Sequence, residues 1–420
     1  MRWLVDAVYL LVALLTLPVW LTRMIRTGKI KTDWRARFGR TRPLPPTAGR
    51  PRLLLHAVSV GELNAIRLLV AELSRRLDPS QLVISTTTDT GFTRAVELFG
   101  HNHAVVRYPF DFSFAVDRFL DRVQPDAAAL VELEVWPGFV AACRRRDISV
   151  CVINGRLTRR SAKRYALIRS LVRPSFAALA FAAAQNREYA RRFETLGCSA
   201  DHLHVTGTMK WDTAEIADEI PGAKELARAL GIERAGALVV AGSTAPNEHR
   251  LLHEAVPDGV QLLCAPRKPE WFEQAAADLP GCARRSRGDC GSRTGRFLLD
   301  TIGELRAAYA LADVVVVGRS FGGLHGSDMM EPIALGKPTI VGPATADFQN
   351  TVEALIAGDG LIRTTREELP AAIASLLDDA GRRAQLAVNG RAVIRAHQGA
   401  TARHCALLLP LLNPCEESPP

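Results

Sequence analysis

Apolar residues fall along this chain in two alternating rhythms, short unbroken runs and helical stripes. The run Leu53-Leu54-Leu55-His56-Ala57-Val58 reads as a strand buried on both faces. It ends in a small-residue turn, Ser59-Val60-Gly61. Leu63, Ile66, Leu69, Val70 and Leu73 then recur at helical spacing and predict a helix to Arg76. The same reading predicts strands at Leu82–Thr86, Ala104–Tyr108, Ala127–Leu133 and Ser149–Ile153, a strand through Ala178–Ala184, and a last short one at His204–Val205. Helical patterns lie between them, as at Phe114–Val123 and Gly138–Arg146. A polar helical stretch, Asp212–Ala229, follows, and the grammar then restarts. Strands are predicted at Ala237–Ala241, Gln261–Ala265, Val314–Val317 and Thr339–Val341, each ending in a Gly- or Pro-containing turn. Alternation of this kind implies parallel sheets with helices on both faces.

A chain of 420 residues is too long for one ordinary core and suits two such domains. The expected architecture is α/β of the GT-B type, two doubly wound, Rossmann-like domains facing each other across a cleft. The expected boundaries are a first domain over 51–211, a linker over 212–233, a second domain over 234–412 and a tail over 413–420. Residues 1–22 form an apolar run broken only by a few positions, among them Asp6 and Pro18. A run near 20 residues just crosses the ~30 Å core of a bilayer, so an uncleaved N-terminal membrane anchor is expected. The rival is a helix lying in the membrane interface. A basic juxtamembrane segment follows over 23–50.

Charge sharpens that picture. The formal net charge is +9, yet residues 1–50 hold ten Lys/Arg against two Asp, which leaves the rest nearly neutral. Local basicity argues against a nucleic-acid-binding body and for a membrane-facing N-terminus. The positive-inside rule then places the domains on the cytoplasmic side. The eight cysteines show no CxxC pairing and no zinc spacing, and they read as reduced cytosolic thiols.

Candidate chemistry collects where strands hand over to helices, the edge at which open α/β sheets place ligands. Glu62 sits at such a junction, either as a catalytic acid or as a first-turn carboxylate favoured by the helix dipole. Glu132 and Glu134, in Glu132-Leu133-Glu134-Val135-Trp136-Pro137, would share one strand face if the strand continued. Arg156, Arg160, Lys163 and Arg164 fall within one helical arc. They form either a solvated face or a site for acceptor phosphates, which arginine contacts bidentately. In the second half, Gly242-Ser243-Thr244 caps a helix or receives a phosphate. Gly303, in Asp300-Thr301-Ile302-Gly303-Glu304-Leu305, allows close approach to the backbone. Gly326-Ser327-Asp328-Met329-Met330-Glu331-Pro332 offers an acid at a Gly-rich loop. No Walker A sequence argues for ATP, and no DxD triplet argues for a metal-held diphosphate.

Taken jointly, these segments resemble the 3-deoxy-D-manno-octulosonic acid (Kdo) transferases, membrane-anchored GT-B enzymes of lipopolysaccharide assembly, from Trp34-Arg35-Ala36-Arg37-Phe38-Gly39 to about residue 400. The resemblance rests on eight motifs in order, His56–Glu62, Glu132–Pro137, Asn154–Leu157, Gln185-Asn186, Val205–Lys210, Pro266–Phe272, Asp300–Leu305 and Glu331–Pro338. It implies inverting transfer of Kdo from CMP-Kdo to a lipid A precursor, lipid IVA, without metal or cofactor. It implies Glu62 as general base, with Glu132 and Lys210 supporting the transition state. It implies a CMP site made of Pro266, Arg267, Ile302, Gly303, Glu304, Asp328, Met329, Met330 and Glu331. The acceptor is expected at Arg156, Arg160 and Lys163. Elementary chemistry agrees, because a sugar hydroxyl needs a positioned base and a leaving CMP needs cations or amides on its phosphate.

The departures from the family pattern cluster on the donor side. Ser327-Asp328 stands where the family has His-Asn, Lys268 follows Pro266-Arg267 where it has His, Arg319 stands for a Gly, and Ala344 for a His. Asp328 near an anionic nucleotide calls for a compensating cation, Lys268 or Arg319. Two rival readings follow. One is a divergent GT-B transferase with another donor or acceptor. The other is a membrane-bound scaffold that has lost activity, against which stand the retained Glu62, Lys210 and Arg267.

Overall fold

The computed structural model describes residues 2–26 and 32–412. Lys29, Lys31 and the expected tail therefore lie outside the described residues. The chain divides into two units, one running to Thr213 and resuming at Gln398, the other spanning Ala214–His397.

The first unit is built on β1 (Leu53–His56), β2 (Leu82–Thr86), β3 (Ala104–Arg107), β4 (Ala127–Val131), β5 (Ser149–Gly155), β6 (Phe181–Ala184) and β7 (Leu203–Val205). All pairings are parallel and the order is β3-β2-β1-β4-β5-β6-β7. Leu53, Leu54 and Leu55 on β1 and Ala127–Val131 on β4 are fully buried, as continuous apolar runs in a two-sided sheet require. The order reverses between β1 and β4, so the loops leaving those strands diverge at a topological switch point.

The second unit repeats the plan with β8 (Leu238–Thr244), β9 (Gln261–Pro266), β10 (Ala283–Arg284), β11 (Arg296–Leu298), β12 (Val314–Val317), β13 (Thr339–Val341) and β14 (Ile362–Arg363). Its order is β10-β11-β9-β8-β12-β13-β14, again all parallel. The switch point here lies between β8 and β12. Two doubly wound α/β units are the arrangement expected of GT-B.

Several boundaries differ from the sequence reading. The helix after β1 is two, Val60–Ala65 and Arg67–Ser74, broken at Ile66. Strands β10, β11 and β14 were not anticipated, because they are two or three residues long and each carries an arginine. Helix Ala223–Leu230, inside the stretch expected as a linker, buries Ala223, Leu226, Ala227 and Leu230 and belongs to the second unit. The chain after His397 returns to the first unit instead of closing the second. Ala400, Cys405, Leu408 and Leu412 pack into the same core as Leu53, Leu55 and Ile84. Asp212 fastens that return by accepting from Gly399 N at 2.7 Å and Thr401 N at 2.5 Å.

The N-terminal segment forms a helix, Arg2–Arg26, with Pro18 inside it. Among the described residues no helix is long and apolar enough to cross a membrane, so a spanning anchor over 1–22 is not found. Asp6 accepts from Ser113 N at 2.8 Å, and Tyr9 OH donates to Asp111 at 2.9 Å. These bonds tie the first half of the helix to the first unit. Leu10, Leu11, Leu14, Leu15, Leu17, Val19, Leu21 and Ile25 remain exposed.

Candidate active site

In the first unit, β1 delivers Glu62 through the turn at Ser59. Ser59 caps helix Val60–Ala65, accepting from Glu62 N, and its hydroxyl donates back to Glu62 Oε1 at 2.8 Å. Val58 N donates to Glu62 Oε2 at 2.8 Å. The carboxyl group is thus held by both oxygens, one on the capping hydroxyl and one on the N–H of the residue before the cap. Capping alone would keep it acidic. Instead burial, reinforced by the neighbouring charges of Glu132 and Glu134, raises it to about 7 against these two hydrogen bonds.

Strand β4 stops at Val131, and Glu132 takes a left-handed conformation with φ 61°. Glu132 and Glu134 therefore do not share a strand face as an extended run would give. Glu134 is held by Trp136 Nε1 at 2.8 Å, and burial raises it. Glu132 is also raised by burial, opposed by the charges of Arg156 and Lys210. The switch point between β1 and β4 so gathers Glu62, Glu132, Glu134, Arg156 and Lys210. Arg160 and Lys163 lie on helix Arg159–Leu167, which buries no residue. Two loops on, Asp111 accepts from Gly138 N at 2.8 Å and Phe139 N at 2.6 Å, capping the helix that follows Trp136.

Asn154 is the hinge of this edge and is also left-handed, with φ 51°, a conformation Asn tolerates better than most residues. It sits where the register of β5 against β6 shifts. Its side-chain oxygen accepts from Met209 N at 3.3 Å, one residue before Lys210. Its backbone N–H donates to His404 Nε2 at 2.8 Å, across the core. His404 Nδ1 faces Ala400 O at 2.7 Å and must donate there. The ring is therefore the neutral Nδ1–H tautomer, and burial lowers its pKa to about 4. Sequence reasoning missed His404, which lies 250 residues from Asn154 in a segment with no local signal.

In the second unit, Glu248 organises the switch point and was also missed. Fully buried, it accepts from Ala245 N at 2.8 Å, Arg319 N at 2.7 Å, Ser320 N at 2.9 Å and Phe321 N at 3.0 Å. It pins the loop after β12 to the helix after β8. The available signal was an acid three residues beyond the Ala245-Pro246 helix start. Arg319 adopts φ 57°, which explains why a Gly suits this position.

Arg267 extends from the end of β9, its N–H donating to Thr244 O at 3.0 Å. Arg267, Asp328 and Glu331 converge around the buried Tyr309, whose phenol burial and the two acids push up. Tyr309 in turn fills the space beside Gly242, where any Cβ would strike its ring. Gly303 has φ 98° and open space around it, beside Ile302 at 74% exposure. Glu304 is held by Arg285 at 3.0 Å and by Thr301. Asp328 accepts from Met330 N at 2.8 Å. Met329 and Met330 are buried, so their side chains face the core and not a ligand surface. Lys268 reaches Glu270 at 3.1 Å and lies over the Trp271 ring. Among the described residues no cluster of three or more His, Cys, Asp or Glu is placed to hold a metal ion.

With this geometry in view, a family model described as 3-deoxy-D-manno-octulosonic-acid transferase (kdotransferase) matches residues 32–213. A 3-deoxy-D-manno-octulosonic acid transferase from Bordetella pertussis is 32% identical over 92% of this chain and 94% of its own length. The chain belongs to the Kdo transferase family. A Haemophilus influenzae member is 30% identical over 88% of each chain. Among solved structures, Anabaena Alr3699/HepE in complex with UDP matches with a TM-score of 0.56 at 15% identity, covering 85% of this chain and 99% of that one, which establishes the shared two-domain fold. This Kdo transferase is thus a glycosyltransferase. The first-unit group at the β1/β4 switch point lies wholly within the stretch that the family model matches.

Proposed function

We propose that this Kdo transferase moves Kdo from CMP-Kdo to a lipid A precursor, lipid IVA, with inversion. Glu62 takes the proton of the acceptor hydroxyl as its oxygen attacks the anomeric carbon, and the bond to CMP breaks. Lys210 and Arg267 offset charge on the departing phosphate, with Glu132 steadying Lys210, and no metal or cofactor is called for. Ile302, Gly303, Glu304, Asp328 and Glu331 bound the nucleotide site with Pro266, while Met329 and Met330 shape it from behind. Arg156, Arg160 and Lys163 receive acceptor phosphates. The observation that carries the reading is the Glu62 carboxyl, raised to about 7 by burial and aimed by two hydrogen bonds, because a base works best near the ambient pH. Incubation with CMP-Kdo and lipid IVA, followed by mass spectrometry, should show acceptor heavier by Kdo. Transfer from a UDP- or GDP-sugar with none from CMP-Kdo would select the divergent-donor alternative.

We also propose association with the inner (cytoplasmic) membrane, with both units on the cytoplasmic face. The exposed leucines of helix Arg2–Arg26, with its docked first half, favour a helix lying in the interface over a spanning one.

A further inference from the structure

The first unit carries a second apolar surface that neither the N-terminal helix nor the carboxylate group accounts for. Helices Arg159–Leu167 and Arg169–Ala177 meet at Ile168, which ends one and begins the other. At that corner Leu167 is 86% exposed, Ile168 47% and Leu171 48%. The corner is fixed from beneath. Val172 and Phe176 are buried in the core, Ala162 and Tyr165 pack against it, and Tyr165 meets Phe176 edge-on at 5.9 Å. Leu167 and its neighbours therefore project because the opposite face is anchored, not because the segment is loose.

The surroundings are of one sign. Residues 156–175 contain seven Lys/Arg (Arg156, Arg159, Arg160, Lys163, Arg164, Arg169 and Arg173) and no Asp or Glu. All seven are exposed. The corner lies near the N-terminal helix, since Tyr165 stands close enough to Tyr9 to add to the burial and the acids that raise the Tyr9 phenol.

We propose that the Leu167-Ile168-Leu171 corner is a second membrane contact, inserting its aliphatic tip among acyl chains while the flanking cations lie against anionic headgroups. Aliphatic side chains ringed by cations match a bilayer of anionic lipid. A second copy of this chain is disfavoured, because a self-complementary interface would bring seven cations against seven. A nucleic acid is disfavoured as well, since the tip offers no aromatic ring on which bases stack. Arg156 leads out of the same segment to the carboxylate group, so the contact sets the acceptor side of the site at the height of the headgroups. That consequence rests on the lipid acceptor of the proposed function, whereas the contact itself is measured without substrate.

The test uses the full chain and vesicles of phosphatidylethanolamine with phosphatidylglycerol, against vesicles of phosphatidylcholine alone. In a Cys282→Ser, Cys290→Ser, Cys415→Ser background, Leu167→Cys labelled with an environment-sensitive fluorophore reports the tip directly, whatever the N-terminal helix does. A blue shift on the anionic vesicles and a far smaller one on the neutral vesicles is expected. Leu167→Glu with Leu171→Glu should lower partition onto anionic vesicles by about fivefold or more with an unchanged melting curve. A label that stays water-exposed on protein already bound to anionic vesicles overturns the proposal. So does a double variant that changes the oligomeric state in solution but not vesicle binding. Loss of vesicle binding with transfer to a detergent-dispersed acceptor intact would support the contact and leave the catalytic reading standing.

Discussion

Glu62→Gln separates chemistry from stability in a way that follows from the geometry. The Glu62 carboxyl is raised from 4.5 to about 7 in the folded chain. A carboxyl so raised binds a proton in the native state at pH values where the unfolded chain has lost it. Native stability therefore falls as pH rises from about 4.5 to about 7 and is flat above that. At ~1.4 kcal/mol per unit, the ionised side chain costs at most about 3 kcal/mol at pH 8, less whatever solvent screening returns to a half-buried group. The amide keeps the hydrogen-bonding places, since Val58 N can donate to its oxygen and the Ser59 hydroxyl can turn to accept from its nitrogen. Glu62→Gln should thus be no less stable than the native chain at pH 5 and more stable by ~1–3 kcal/mol at pH 8. Turnover should fall by roughly 10²–10⁴-fold, the usual scale for loss of a general base. The native kcat/KM should rise with pH through a limb near 7, the limb that the variant lacks. Urea unfolding at the two pH values and a pH–rate profile of Kdo transfer supply the measurements. A variant within tenfold of native turnover, or one with the same acidic limb, refutes the role of Glu62. Equal stabilities at pH 8 refute the raised ionisation.

Other outcomes follow from the same contacts. His404→Leu leaves Asn154 N–H buried without an acceptor, which should cost ~1–3 kcal/mol, and should lower kcat more than the affinity for CMP because the bond aligns the segment leading to Lys210. His404→Gln, which restores an acceptor, should recover most of both. Glu248→Ala strips the acceptor from four backbone N–H groups and should destabilise the second unit by on the order of 3 kcal/mol, measured by urea unfolding of the chain 214–397 against its own native form. Arg319→Gly relieves a left-handed side-chain-bearing residue and should raise the melting temperature, with a gain of ~1 kcal/mol.

The sheets were legible because strands buried on both faces leave unbroken apolar runs, as at Leu53–Val58 and Val314–Val317. The edge strands of the second unit were not, because Ala283–Arg284 and Ile362–Arg363 are too short to leave a period. Glu62 could be found because a strand-to-helix handover is a local pattern. The left-handed turn at Glu132 was hidden, since only Gly or Asn advertises such a turn in sequence. His404 and Glu248 act through contacts that the fold creates between distant segments, and no periodicity encodes a partner 250 residues away. The N-terminal helix shows the limit of hydropathy, because the run is apolar on average while single polar residues, Asp6 and Tyr9, decide what it docks on.

The return of the chain after His397 makes the second unit an insertion. Trp211 O accepts from Gln398 at 3.3 Å and Asp212 holds Gly399, so the chain leaves and re-enters the first unit at one closed neck. A gene cut after Thr213 would yield a first unit missing Ala400, His404, Cys405 and Leu408 from its interior. Joining residue 213 to residue 398 through a short linker would instead keep that interior whole. The segment 214–397 would then be a cassette, exchangeable for another doubly wound unit without rebuilding the half that carries Glu62. A lineage could replace the cassette while the neck at Asp212 stays constant.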